Sequence, residues 1–196
     1  MTYHIISPTD YKVSEWSGGK TTEVFLSPSD GAYRVGEFDF RLSTADVQLE
    51  HSTFSALPGY NRIIMSLDND LSLTHIGDSK REVYLKAFET NFFKGEDATT
   101  SVGTCQDFNL IFRPELTGNM QALFERQTYK IQSKMSCFFY ALADVSLELV
   151  SDMSSETLSL TSGECLIVED PTLDVELRIV GEENKTTPPI IAVSVQ

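Results

Sequence analysis

Short runs of β-branched, aromatic and aliphatic residues recur along this chain, separated by Gly, Pro, Asn, Asp or Ser. Runs of this kind, bounded by turn residues, are typical of β-strands. Their spacing predicts about a dozen antiparallel strands in an all-β fold of the barrel or sandwich type. The predicted strands cover residues 22–26, 33–43, 46–50, 61–67, 70–75, 82–88, 105–113, 128–132, 136–150, 157–160, 164–168, 173–180 and 190–195.

Two stretches depart from this pattern. In residues 119–127 the apolar positions follow the spacing of a helix, which predicts one short helix. Residues 114–119 contain proline and glycine and interrupt the succession of strands. We therefore expect a seam there, between an N-terminal half of residues 1–115 and a C-terminal half of residues 116–196.

The charge balance limits the classes of partner. Lys and Arg total 15 against 29 Asp and Glu, a net charge of −14, and such a surface repels phosphate backbones and anionic headgroups. No apolar run approaches the roughly 20 residues that cross a bilayer, and the first residues do not resemble a secretory signal. We expect a cytoplasmic protein that binds neither nucleic acid nor membrane.

Cysteine and histidine are scattered along the chain, at Cys105, Cys137, Cys165, His4, His51 and His75. No C-x-x-C or H-x-H pair brings two ligands together, which argues against a disulfide framework and against a histidine-held metal. The motifs of serine hydrolases and of phosphate-binding loops are also absent. We therefore expect no metal and no cofactor, and Cys105 is best explained as a small buried hydrophobe.

One predicted strand divides into two faces of different character. Phe108, Leu110 and Phe112 alternate with Asp107 and Asn109, and the period of two puts the carboxylate and the amide side by side. A strand of this kind either has a wet surface on its polar side or lines a cavity.

Arg62 begins an otherwise apolar strand shortly after the turn at Pro58-Gly59. Its charge cannot be removed by deprotonation, so an arginine that enters a core layer must find a partner. Asp107 would give a buried structural pair, whereas the carboxylate of a ligand would suit the planar guanidinium through two parallel hydrogen bonds. The sequence leaves both interpretations open.

Two further segments carry polar groups that could reach the same place. The glycine pair that ends at Gly19 is followed by Thr21, and it is either a tight turn anchored by Trp16 or part of a ligand site. Arg41 and Ser43 share one side of another predicted strand, which faces either solvent or the site.

Five motifs, in this order, resemble those of the HutD/Ves family and cover about the first 115 residues. They are W-S-G-G-K-T-T-E (16–23), F-D-F-R-L-S-T-A (38–45), F-S-A-L-P-G-Y-N-R (54–62), F-K-G (93–95) and D-F-N-L-I-F-R (107–113). The family patterns are W-x-x-G-x-T-x-E, F-x-W-R-x-S-x-A, F-S-x-x-P-G-x-x-R, F-x-G and D-x-N-x-M-x-R. The chain departs from them at Phe40, where the family usually has Trp.

The resemblance implies a fold and a class of function. The fold would be cupin-like (RmlC-like): two small antiparallel β-barrels in one chain, a bicupin, with the ligand pocket in the barrel of residues 1–115. HutD-type members are thought to moderate histidine utilisation by binding an intermediate such as urocanate or formylglutamate. Ves-type members are associated with stress or cold. Proteins of this kind lack the metal-binding histidines of many cupins.

Carried over motif by motif, the family's polar positions fall on Thr21, Arg41, Ser43, Ser55, Arg62, Asp107 and Asn109. We expect a small carboxylate-bearing metabolite in the N-terminal barrel, with Arg62 as its clamp. Asp107 and Asn109 would orient that clamp. Ser43 and Thr21 would lie at the rim.

Two other classes of function stay open. One is a metal-independent isomerase or hydrolase that uses Asp107 as general base. The other is an interaction protein without a ligand, for which a barrel filled by side chains would be the signature. A binding protein is favoured over an enzyme because the sequence contains no motif of reaction chemistry, and a homodimer is the assembly kept open.

Overall fold

The computed structural model describes residues 2–151, 154–169, 171–181 and 187–196. Antiparallel strands form nearly all of its regular structure, and within those ranges the one helical segment is a single 3-10 turn at Pro8–Asp10. The predicted all-β fold is confirmed. The strands are β1 (Tyr3–Ile6), β2 (Lys12–Trp16), β3 (Gly19–Ser27), β4 (Phe40–Val47), β5 (His51–Thr53), β6 (Asn61–Ser66), β7 (Leu71–Ile76), β8 (Lys80–Leu85), β9 (Thr90–Lys94), β10 (Ala98–Val102), β11 (Cys105–Phe112), β12 (Gly118–Leu123), β13 (Thr128–Ile131), β14 (Ser136–Ala141), β15 (Val145–Ser151), β16 (Ser154–Leu160), β17 (Cys165–Val168), β18 (Val175–Val180) and β19 (Ile190–Val195).

The prediction of a helix at residues 119–127 is wrong. Most of that segment belongs to β12, which pairs with β19 so that Met120 lies opposite Val193. An isolated helix this short is marginal in water, whereas the strand gains a ladder of hydrogen bonds from a partner at the far end of the sequence. A local pattern of apolar residues carries no information about that distant partner.

Several strand boundaries also differ from the prediction. The predicted strand 33–43 begins only at Phe40, because the residues before it form bends and turns. The predicted strand 136–150 is two strands, β14 and β15. The sequence pattern misses β1, β2, β5, β9 and β10, which are short strands with at least half of their residues exposed.

The chain divides into two compact units, an N-terminal unit of Tyr11–Leu116 and a C-terminal unit of Met1–Asp10 with Thr117–Gln196. The division after Leu116 falls inside the seam expected at residues 114–119. The first ten residues differ from the expected boundary, because β1 pairs along the edge of β17 and so belongs to the C-terminal unit.

Within each unit, eight consecutive strands follow one order, β4 to β11 in the N-terminal unit and β12 to β19 in the C-terminal unit. The first, eighth, third and sixth strands lie side by side in one sheet, and the second, seventh, fourth and fifth in another. This is the strand order of a double-sheet jelly roll. The chain therefore folds the same topology twice, although its two halves have no exact sequence repeat.

The interiors of the two units differ in chemistry. In the C-terminal unit, apolar side chains from both sheets form one cluster that includes the fully buried Phe139, Leu147 and Leu177. In the N-terminal unit, apolar clusters around Phe38 and Ile64 are accompanied by buried polar side chains. Those polar residues are Arg41, Ser43, Thr44, Ser52, Arg62, Ser66, His75, Asn91, Thr99, Ser101, Asp107 and Asn109.

None of the described segments is a helix long and apolar enough to cross a membrane.

Gly19 marks a place where two strands approach each other too closely for a side chain. It begins β3 after the β2–β3 hairpin, with a φ of +148°, and a Cβ added there would lie 1.8 Å from the backbone oxygen of Asp46. Because that oxygen belongs to the paired strand β4 and cannot move aside, only glycine fits. The close approach seats β3 against the strand that carries Arg41 and Ser43.

We predict that Gly19→Ala destabilises the protein much more than Gly36→Ala. Gly36 also has a positive φ, of +85°, but no atom lies within 4 Å of an added Cβ. The control variant then suffers only the cost of a left-handed backbone, about 1–2 kcal/mol, whereas Gly19→Ala must also push two strands apart. Thermal unfolding measures both, and equal melting temperatures would contradict the steric argument.

Candidate functional site

A cavity of about 230 Å³ lies in the N-terminal unit, against the sheet that contains β3, β4, β11 and β6. The seven residues predicted for the site all line it. The complete lining is Ser14, Trp16, Thr21, Tyr33, Arg41, Ser43, Ala45, Val47, Thr53, Phe54, Ser55, Arg62, Asp107, Asn109 and Ile111.

Strand register explains why residues far apart in sequence meet here. Side chains directly opposite each other on paired strands point to the same face of a sheet. Asn109 lies opposite Ser43, and Asp107 lies opposite Ala45. Ile111 lies between the two arginines of the site, opposite Arg41 on one side and Arg62 on the other.

A β-bulge in β3 brings a carboxylate into this arrangement. Glu23 pairs with Ser43, but the next pair is Phe25 with Leu42, so Val24 is an extra residue. A bulge shifts the alternation of the strand by one residue. Glu23 therefore lies on the cavity side of the sheet, bonded to Arg41, and Leu26, three residues later, faces the same side.

Arg62 is buried with an incomplete set of hydrogen bonds. It is 6% exposed, and its guanidinium carbon lies 5.1 Å from the ring centroids of both Phe54 and Phe93. Nη1 donates weakly to the backbone oxygen of Ser55 at 3.4 Å, and Nε has no partner within the part of the chain that the structure describes. Burial lowers the pKa of Arg62, while the nearby Tyr33 and Asp107 oppose that change.

The ion pairs of the described residues do not include Arg62. Asp107 acts on it through the electrostatic field rather than through a direct salt bridge. The sequence left open whether Arg62 forms a close structural pair with Asp107. The structure does not contain that pair.

Asp107 and Asn109 form a coupled pair in the wall of the cavity. Nδ2 of Asn109 donates to Oδ1 of Asp107 at 2.5 Å, and Oδ1 of Asn109 is buried with no partner in the described ranges. Burial raises the pKa of Asp107 to about 7, although Arg62, a backbone hydrogen bond from Ala45 and the amide of Asn109 all act to lower it. The carboxyl therefore changes charge near neutral pH.

Arg41 differs from Arg62 because its charge is already balanced. Its Nε donates to Oε2 of Glu23 at 2.8 Å, and its Nη1 donates to Oγ of Ser43 at 3.1 Å. The ring of Tyr33 covers the guanidinium, with its centroid 4.1 Å from the guanidinium carbon. Arg41 consequently adds polar surface to the cavity but little net positive charge.

The remaining predicted residues lie at the edge of the cavity. Thr21 is half-buried and Ser55 is exposed. Trp16 also lines the cavity and packs over Gly18. The hairpin with paired glycines is thus both a turn anchored by Trp16 and part of the cavity wall.

A second polar network, centred on His75, packs against Phe93. The ring of His75 lies 4.7 Å from that of Phe93. Its Nδ1 contacts Oγ1 of Thr99, and Nδ2 of Asn91 donates to its Nε2, both at 2.9 Å. Burial first, and Arg81 second, lower the pKa of His75, which favours the neutral imidazole. The hydrogen bonds fix the imidazole against the ring of Phe93, and that ring in turn contacts Arg62.

Sequence reasoning missed Glu23, Tyr33 and Phe54 as site residues. Glu23 was detectable, because it stands two residues after Thr21 in the W-S-G-G-K-T-T-E motif and so shares a strand face with it. Phe54 lies in a motif as well. Tyr33 belongs to the irregular segment before β4, where no periodic signal predicts which side chain faces the cavity.

The described residues contain no group of three or more His, Cys, Asp or Glu side chains that could hold a metal ion. Cys105, Cys137 and Cys165 are free and buried. Burial raises the pKa of each thiol to about 12, which suppresses the thiolate form that nucleophilic chemistry needs.

The fold and the cavity together define an all-β protein of cupin-like type. Oxalate decarboxylase from Bacillus subtilis matches it with a TM-score of 0.64 at 6% identity, covering 97% of this chain and 76% of that chain. Vicilin from hazelnut, Corylus avellana, matches with a TM-score of 0.65 at 6% identity, covering 97% of this chain and 84% of that chain. At such identities the likeness concerns the fold alone.

The chain belongs to the HutD family, whose model matches residues 8–186. HutD from Pseudomonas fluorescens, solved in a formate condition, has a TM-score of 0.71 at 23% identity over 100% of this chain and 98% of that chain. A conserved protein of unknown function from Pseudomonas aeruginosa has a TM-score of 0.78 at 24% identity over the same shares. No curated protein matches the chain significantly. The resemblance found in the motifs is confirmed.

The raised pKa of Asp107 predicts a pH-dependent stability. Between its ordinary value of about 3.9 and its folded value of about 7, the native state holds a proton that the unfolded chain has lost. The free energy of unfolding should therefore fall as the pH rises through that window. We expect the melting temperature of the wild type to drop more between about pH 5 and about pH 8 than that of Asp107→Asn.

Asp46→Asn, at an exposed position of β4, is the matched control and should keep the pH dependence of the wild type. If Asp107→Asn shows the same dependence as the wild type, the carboxyl does not titrate in this window.

Proposed function

We propose that the N-terminal unit binds a small carboxylate-bearing metabolite in the cavity beside Arg62. The observation that carries the proposal is the buried guanidinium, whose Nε has no partner. An uncompensated buried charge costs several kcal/mol. A carboxylate that accepts hydrogen bonds from two nitrogens of the guanidinium fork would supply both the missing acceptor and the missing counter-charge.

The surroundings of Arg62 favour one rigid orientation of the guanidinium. The rings of Phe54 and Phe93 lie at equal distances from it, and the ring of His75 packs against Phe93. A side chain held in this way loses little conformational freedom on binding, so more of the interaction energy appears as affinity.

Membership of the HutD family supports a finer proposal, in which the protein acts in the cytoplasm and moderates histidine utilisation by binding a pathway intermediate such as urocanate or formylglutamate. Both are small carboxylates. The cavity of about 230 Å³ has roughly eight times the volume of one liquid water, about 30 Å³, which suits a metabolite of that size.

We also propose that each jelly roll closes as a small cupin barrel, so that the chain is a bicupin with one ligand-binding barrel and one filled barrel. The apolar cluster of the C-terminal unit, with Phe139, Leu147 and Leu177 at its centre, supports the filled role. The polar cavity of the N-terminal unit supports the binding role.

We predict that Arg62→Met abolishes stabilisation by carboxylate ligands. The wild type, titrated with urocanate and with formylglutamate, should gain about 2.7 kcal/mol at a ligand concentration of about 100 Kd, which is roughly 5–10 °C for a chain of this size. Methionine keeps much of the apolar stem and removes the donors. Thermal shift and isothermal titration calorimetry measure the effect.

Arg178→Met is the matched control, because Arg178 pairs with Glu176 on the surface of the C-terminal unit and should leave ligand binding intact. Equal stabilisation of the wild type and Arg62→Met would remove the clamp from the proposal.

A second candidate function is catalysis by Asp107. A carboxyl in a cavity wall whose pKa is raised to about 7 can accept a proton near neutral pH, as a general base must. This candidate predicts that urocanate or formylglutamate is converted on incubation with the wild type and unchanged with Asp107→Asn. Full recovery of both compounds after long incubation, measured by mass spectrometry, would leave binding alone.

A further inference from the structure

Asn109, whose side chain lines the same cavity, contains an unsatisfied hydrogen-bond acceptor. The residue is 6% exposed, it lines the cavity, and its Oδ1 has no partner among the described residues. A buried amide oxygen without a donor loses its hydration without compensation. The cavity wall therefore contains two unsatisfied polar groups. We call Nε of Arg62 the donor pole and Oδ1 of Asn109 the acceptor pole.

Asp107 fixes the orientation of that amide. Because Nδ2 of Asn109 donates to Oδ1 of Asp107, the amide oxygen must point away from the carboxylate. When Asp107 is ionised, which holds above about pH 7, turning the amide over would put its oxygen against a carboxylate oxygen, and two acceptors would repel each other. The hydroxyl of Ser43, directly across the strand pair, accepts from Arg41, and among the described residues neither it nor any other group donates to Oδ1 of Asn109.

The two poles lie close together on one face of the sheet. Arg62 is opposite Ile111, and Asn109 is two residues before Ile111 on β11, so the two residues are diagonal neighbours with backbones about 7–8 Å apart. One small molecule can therefore reach the donor pole and the acceptor pole at once.

We propose that the ligand is an acid that also carries an N–H or O–H donor, which Oδ1 of Asn109 accepts while Arg62 holds the carboxylate. This inference rests on the proposed function, since it assumes the clamp at Arg62. Asn109 is a specificity-determining residue in this scheme, and Asp107 is a positioning residue that sets which end of the amide the ligand meets. Acids that carry only acceptors bind more weakly.

Matched pairs of isosteres test the donor requirement. The pyrrole and furan analogues of urocanate share one carbon skeleton and one carboxylate, and they differ in a ring N–H against a ring oxygen. Formylglutamate and the formyl ester of hydroxyglutarate differ in the same way, with an ester oxygen in place of the amide N–H. Isothermal titration calorimetry gives the affinity ratio within each pair.

We expect the N–H member of at least one pair to bind about tenfold more tightly or better, because its isostere leaves Oδ1 of Asn109 unsatisfied and puts a second acceptor against it. In Asn109→Leu the ratio should fall to about one. In Asp107→Asn the ratio should fall as well, since the neighbouring amides can then pair in either orientation. Asn119→Leu, at an exposed position of β12, is the matched control and should keep the ratio of the wild type.

The ratio separates recognition from folding, because a variant that is merely destabilised weakens both members of a pair alike. Equal affinities within both pairs in the wild type would overturn the donor requirement while leaving the clamp intact. Binding of no carboxylate in either pair would overturn the proposed function, and the donor requirement with it. A ratio that survives in Asn109→Leu would assign the acceptor to another group and overturn the role of Asn109.

Discussion

The rest of the site depends on a permanent positive charge placed inside a β-sheet unit. Arg62 is buried against the rings of Phe54 and Phe93, and its Nε lacks a partner among the residues that the structure describes. A charge in such a place is tolerated only if something balances it, and Asp107 does so partially, through its field and at the expense of a raised pKa. Burial thus shifts the pKa of each group toward its uncharged form, so the two charges of the cavity wall compensate each other only in part.

One strand order encloses two chemically different interiors in this chain. Both units use the same strand order, so the difference between them lies in which side chains the inner faces carry. In the C-terminal unit the inward positions of β14 and β15 are apolar, including Phe139 and Leu147, and they pack into a single cluster. In the N-terminal unit the equivalent space contains two arginines, a carboxyl and an amide, and these polar side chains line a cavity.

Much of this could be predicted from the sequence, because strand alternation is local. The two faces of β11 and the unusual position of Arg62 were both visible in the pattern, and the motifs of the HutD family brought the polar residues together. The helix expected around Met120 failed because its true partner, β19, lies far away in sequence. Tyr33 could not be predicted because it lies in an irregular segment, where neither period nor propensity determines which way a side chain points.

The bulge in β3 separates the facing of this strand from the regular alternation of its sequence. Val24 is the extra residue that lets Glu23 and Leu26, three positions apart, face inward together. If Val24 were deleted, the residues on its two sides would alternate regularly and keep their present partners on β4, so Glu23 would still face Arg41. The ion pair of Glu23 and Arg41 is therefore compatible with two lengths of this strand.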